Sequence, residues 1–153
     1  MSIVFCDIDG VLRTHQSDEW WSIREKLPIP DRVYDRKFNP KAISNLNYLH
    51  NLLQIKIVVS STWRTNFTLS ELQHIFRKNG ISAPVIDTTP VLNNRGEEIQ
   101  TWLDIHNPKN YIVIDDNIKD IKNYISSNNI IRCDTEIGFE DSRLLDRAID
   151  ILA

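Results

Sequence analysis

Two carboxylates, Asp7 and Asp9, stand where the apolar run Val4-Phe5-Cys6 meets a glycine turn at Gly10. Residues i and i+2 of a strand point to the same side. A strand ending here brings both acids together at a sheet edge rather than into the core. Carboxylates that close repel each other and resist burial. A hard divalent cation relieves both costs, whereas a surface turn carrying two acids needs no ion. The pair alone does not choose between these readings.

A second acidic pair narrows the choice. The run Tyr111-Ile112-Val113-Ile114 also ends in acids, Asp115 and Asp116, followed by Asn117. A third run, Ile55 to Val59, ends in hydroxyls at Ser60, Ser61 and Thr62. In open parallel α/β sheets, ligands bind in the crevice beyond the C-terminal strand ends. Magnesium takes one or two carboxylates plus substrate oxygens and water. Hydroxyls and exposed backbone N–H groups suit phosphate oxygens. The three strand ends together suggest a magnesium-dependent site for a phosphate.

The chain of 153 residues is sized for a single domain spanning 1–153. Its net charge of −3 gives no global basic field drawing it to nucleic acid or anionic lipid. No run of about 18 apolar residues offers a membrane span. The N-terminus enters the first strand without a basic leader, so no secretory signal is expected. Cys6 and Cys133 both fall in expected strands and read as reduced, buried small hydrophobes. The expected location is the cytoplasm.

Along the chain, strands are expected at 3–8, 56–60, 84–87, 111–114 and 130–133. Helices are expected from Asn39-Pro40 onward, after Thr68, over 96–105, over 118–125 and from Asp141. Asn39 caps and Pro40 fits the first helical position. Thr68 and Glu71 form a capping box, and Gly80 closes that helix. Leu145, Ala148, Ile149 and Leu152 are the expected inward face of the last helix. Alternating helices and nearly continuous apolar strands imply an α/β fold, with a parallel sheet covered on both faces.

These residues resemble a family. The Asp-Ile-Asp-Gly at 7–10, Ser-Ser-Thr at 60–62, a basic residue ahead of a strand and Asp-Asp at 115–116 occur in the order of haloacid dehalogenase-like (HAD) phosphatases. The signatures cover nearly the whole chain. The resemblance is to small capless members, including phosphatase modules associated with nucleic-acid repair, where a Trp-Arg pair such as Trp63-Arg64 follows the second signature. It implies a doubly wound, three-layer Rossmann-like sheet of order 5-4-1-2-3, a short flap at 13–38 and no large cap domain.

With that resemblance, Asp7 is the expected nucleophile, attacking phosphorus to form an aspartyl-phosphate. Asp9 is the expected general acid and base, and its backbone carbonyl joins Asp7 at the metal. Ser61 is the expected phosphate-binding hydroxyl, with Ser60 as rival and Thr62 as a helper. Arg95 is the expected cation facing the phosphoryl oxygens, with Lys109 the alternative. Asp116 is the expected direct metal ligand and Asp115 its support, or the reverse. Trp63 and Arg64 are expected to contact the group that carries the phosphate.

An open site admits a phosphate on a large molecule. Trp20 and Trp21, with Arg24, Lys26, Arg32, Arg36 and Lys37 nearby, offer stacking surfaces and cations for a nucleotide or nucleic-acid end. The same tryptophans can instead pack the flap onto the body. Alternative substrates are a phosphoprotein or a small metabolite. A non-hydrolytic receiver-like signalling module also places acids at strand ends, but in a different order.

Overall fold

The computed structural model describes residues 2–18 and 37–153. Most of the expected flap, including Trp20, Trp21, Arg24, Lys26, Arg32 and Arg36, lies outside the described residues.

Five strands form one wholly parallel sheet: β1 (Ser2–Cys6), β2 (Ile55–Val59), β3 (Val85–Thr88), β4 (Asn110–Asp115) and β5 (Ile130–Arg132). Their order is β3-β2-β1-β4-β5, which is the expected 5-4-1-2-3 read from the other edge. Receiver domains follow 2-1-3-4-5, so the receiver-like alternative fails on topology.

All five residues of β1 are buried, as the central strand of a doubly covered sheet requires. Its side chains alternate between two cores. Val4 and Cys6 meet α1 (Pro40–Leu53), α2 (Leu69–Lys78) and α4 (Ser142–Leu152) through Leu46, Leu49, Leu72, Phe76 and Ala148. Ile3 and Phe5 meet α3 (Arg95–His106) through Ile99, Trp102 and Leu103. Phe5 and Trp102 pack edge to face at 5.3 Å. These are the three expected layers. Among the described residues, no helix is long and apolar enough to cross a membrane.

The helix signals behave as read. The Asn39 side chain accepts from the backbone of Lys41 ahead of α1, and the Thr68–Glu71 capping box is complete. Two expectations change. Residues 118–125 form no α-helix, only a 3₁₀ turn at Ile121–Asn123. The Asn117 side chain accepts the backbone N–H of Lys119, the same i to i+2 bond that caps α1, so a helix start is signalled here but not continued. In α4 only Ala148 and Leu152 are fully buried, while Leu145 and Ile149 pack at the core margin.

Candidate active site

Register builds the site. Cys6 pairs with Val59 on one side and with Ile114 on the other. One residue further, the Asp7 N–H donates to the Ile114 carbonyl at 3.1 Å, and the Ser60 N–H donates to the Cys6 carbonyl at 3.2 Å. Asp7 therefore leaves the sheet between Ser60 and Asp115, at the switch point where β1 separates β2 from β4.

One carboxylate oxygen from each of Asp7, Asp115 and Asp116 lies within 4.8 Å of the others. Asp7 and Asp115 are buried and Asp116 is half-buried. Arg95, at the start of α3, reaches into this cluster. Its Nη1 lies 2.7 Å from Asp115 and 3.4 Å from Asp7. Asp115 also accepts the Asn117 N–H at 3.0 Å, and Thr135 donates its hydroxyl to Asp116 at 3.0 Å.

Burial, and then the Asp115 charge, push the Asp7 carboxyl up to about 8, with Arg95 opposing them. Burial also raises Asp115, against Arg95 and the Asn117 N–H. The two buried carboxylates, sharing one arginine, therefore strain to ionise together. Their donor atoms are all hard oxygens, so the cluster fits a divalent cation that replaces those protons.

The expected residues separate into groups. Asp7, Asp115, Asp116 and Arg95 come together. The Asp9 carboxylate is not in the three-acid cluster. It is held by Arg13 at 2.6 Å and by the Trp63 indole N–H at 2.9 Å. Lys109 precedes β4 and is exposed at the N-terminal end of that strand, away from the acids at its C-terminal end, so Arg95 is the cation at the cluster.

Ser60 and Ser61 divide differently from the expectation that favoured Ser61. The Ser61 hydroxyl caps the turn Thr62–Thr65 by accepting the Trp63 N–H. The Ser60 hydroxyl is buried and has no partner among the described residues. Thr62 is exposed. Trp63 is buried against Phe38 and Phe67.

Arg64 corrects an expectation outright. Its side chain is 4% exposed and its guanidinium is bonded internally, so it does not face a substrate. Sequence reasoning missed Arg13 and Thr135, which hold Asp9 and Asp116, and Glu98, the buried partner of Arg64. Only their bonding partners separate these three from ordinary polar residues. The two cysteines are free, and burial pushes both thiols up, away from nucleophilic use.

A family model described as "HAD domain in Swiss Army Knife RNA repair proteins" matches residues 3–144. No curated protein and no solved structure matches the chain.

Proposed function

The chain belongs to this family of HAD domains, a hydrolase family of phosphatase type, and on that premise we propose that it is a magnesium-dependent phosphomonoesterase acting on nucleic-acid ends. The observation that carries the reading is the meeting of Asp7, Asp115 and Asp116 within 4.8 Å at the strand switch point, with Arg95 against them. The family's description with RNA repair proteins supports a terminal phosphate on RNA over a phosphoprotein or small metabolite.

In this reading Asp7, Asp115 and Asp116 hold the magnesium, with the Asp9 backbone carbonyl. The bound ion supplies positive charge that offsets the carboxylates and the phosphate oxygens. An Asp7 oxygen attacks phosphorus in line, the bond to the leaving oxygen breaks, and Asp9 gives that oxygen its proton. Asp9 then takes a proton from water as the water oxygen attacks phosphorus and Asp7 departs. Trp63 keeps the Asp9 carboxylate oriented through its indole N–H.

Arg95 receives the equatorial phosphoryl oxygens. Ser60 supplies the hydroxyl, because it has no competing bond among the described residues. Thr62, exposed on the turn after it, is left to meet the remainder of the substrate.

The test is a panel with and without magnesium: oligoribonucleotides with 3′ or 5′ phosphates, mononucleotides, phosphopeptides and sugar phosphates. Magnesium-dependent release of phosphate, fastest from an oligoribonucleotide end, supports the proposal. Fastest release from a phosphopeptide or sugar phosphate removes the nucleic-acid assignment. No release from any of them removes the phosphatase reading.

A further inference from the structure

Arg64 sits in the turn Thr62–Thr65 that follows β2, its side chain buried and bonded on all three nitrogens. Its Nε donates to the Thr89 carbonyl at 3.0 Å. Its Nη1 donates to the carbonyls of Ser60 at 3.1 Å and Ser61 at 3.0 Å. Its Nη2 donates to the Pro90 carbonyl at 3.1 Å and pairs with Glu98 at 2.8 Å. A guanidinium has five N–H donors in a rigid fork; here four carbonyls accept hydrogen bonds from it and the Glu98 carboxylate pairs with its charge. The second oxygen of Glu98 accepts the Leu92 N–H at 2.8 Å.

Three pieces of backbone therefore converge on one cation. The first is the Ser60-Ser61 corner, the second the loop from Thr89 to Leu92, and the third the first turns of α3. That helix carries Arg95 three residues before Glu98, and Arg95 reaches Asp7 and Asp115. Ordinary strand packing does not account for this. The β2–β3 ladder ends at the Val59–Thr88 pair, extended only by the Thr89 N–H to Val59 bond. Beyond it, the side chains of Arg64 and Glu98 hold the corner and loop together.

We propose that Arg64, paired with Glu98, is a positioning residue that fixes the Ser60 corner and the start of α3 relative to each other. It thereby sets the spacing between the phosphate-binding hydroxyl and Arg95. The proposal rests on the phosphatase reading for its catalytic consequence, but its structural half stands apart from it. Lysine does not substitute: three donors on a flexible stem cannot span four carbonyls and a carboxylate.

The experiment compares Arg64→Ala, Arg64→Lys and Glu98→Gln with the unaltered chain. Amide hydrogen exchange is expected to rise at least tenfold at 60–62 and at 89, 91 and 92 in Arg64→Ala, while β1 and α1 keep their protection. With an aryl phosphate and magnesium, KM is expected to rise about tenfold or more. Added guanidinium should recover part of the loss in Arg64→Ala and none in Asp7→Asn. Arg64→Lys, which keeps the charge, should remain impaired.

Exchange unchanged at both segments overturns the proposal. So does a protection loss spread evenly over the sheet, or an Arg64→Lys chain matching the unaltered one in both readouts. If the unaltered chain hydrolyses no phosphomonoester, the phosphatase reading fails, and the exchange pattern alone upholds or overturns the clamp.

Discussion

The carboxylate of Asp116 fills the space that a Cβ on Gly10 would need. Gly10 also has φ of +82°, where an L side chain is strained. Gly10→Ala is expected to move Asp116 out of the acid cluster and to cost about 1–2 kcal/mol of stability. A magnesium titration of activity, beside a thermal melt, should show a weakened metal requirement curve that the modest stability loss does not explain.

Ser60→Ala and Ser61→Ala should separate activity from stability. Ser60 carries a buried hydroxyl without a partner among the described residues, so its removal should change stability by less than about 0.5 kcal/mol. Loss of a hydrogen bond to a charged phosphoryl group should cost activity about 10- to 100-fold. Ser61→Ala removes a cap and should cost about 1 kcal/mol, with activity within about twofold. Melting curves and kcat/KM for both variants check the pair of outcomes.

The metal-free protein should lose stability as pH rises. Asp7 is raised from an ordinary value of 3.8 to about 8 in the folded chain. Folding therefore takes up a proton between those values. The contribution is fully present below pH 3.8, declines by at most about 1.4 kcal/mol per pH unit, and is gone above about 8. Melts in chelator from pH 5 to 8.5 should show a falling midpoint, and Asp7→Asn should flatten it. Magnesium should raise the midpoint more at pH 8 than at pH 5.

Arg95→Met and Lys109→Met test which cation serves the site. Arg95 touches Asp7 and Asp115, while Lys109 lies at the opposite, N-terminal end of β4. The first should lower kcat about 100-fold, and the second should leave it within about twofold. Steady-state rates on one phosphomonoester decide.

Much of this was legible in the sequence because it is written in local patterns. The apolar run into Asp7 and the run into Asp115 mark two strand ends, and a parallel sheet brings such ends together. Asn39, Thr68 and Gly80 announce helix boundaries through bonds to their own neighbours. The failures have a common physical character. Ser60 and Ser61 are adjacent and chemically alike, and only their hydrogen bonds tell them apart. Arg64 carries the formal charge of a surface residue, and nothing local reveals that Glu98 and four carbonyls enclose it. The segment after Asp116 has apolar residues at helical spacing and a capping bond at Asn117, yet it forms only a 3₁₀ turn at Ile121–Asn123.

Asp7→Asn gives the most direct test, because it is isosteric and removes only the nucleophile's charge. Phosphate release from a 3′- or 5′-phosphorylated oligoribonucleotide should be measured with magnesium for both chains. The account predicts turnover in the unaltered chain and a loss of at least about 1000-fold in Asp7→Asn, with a folded, cooperatively melting variant. Turnover by Asp7→Asn within about tenfold of the unaltered rate would contradict it.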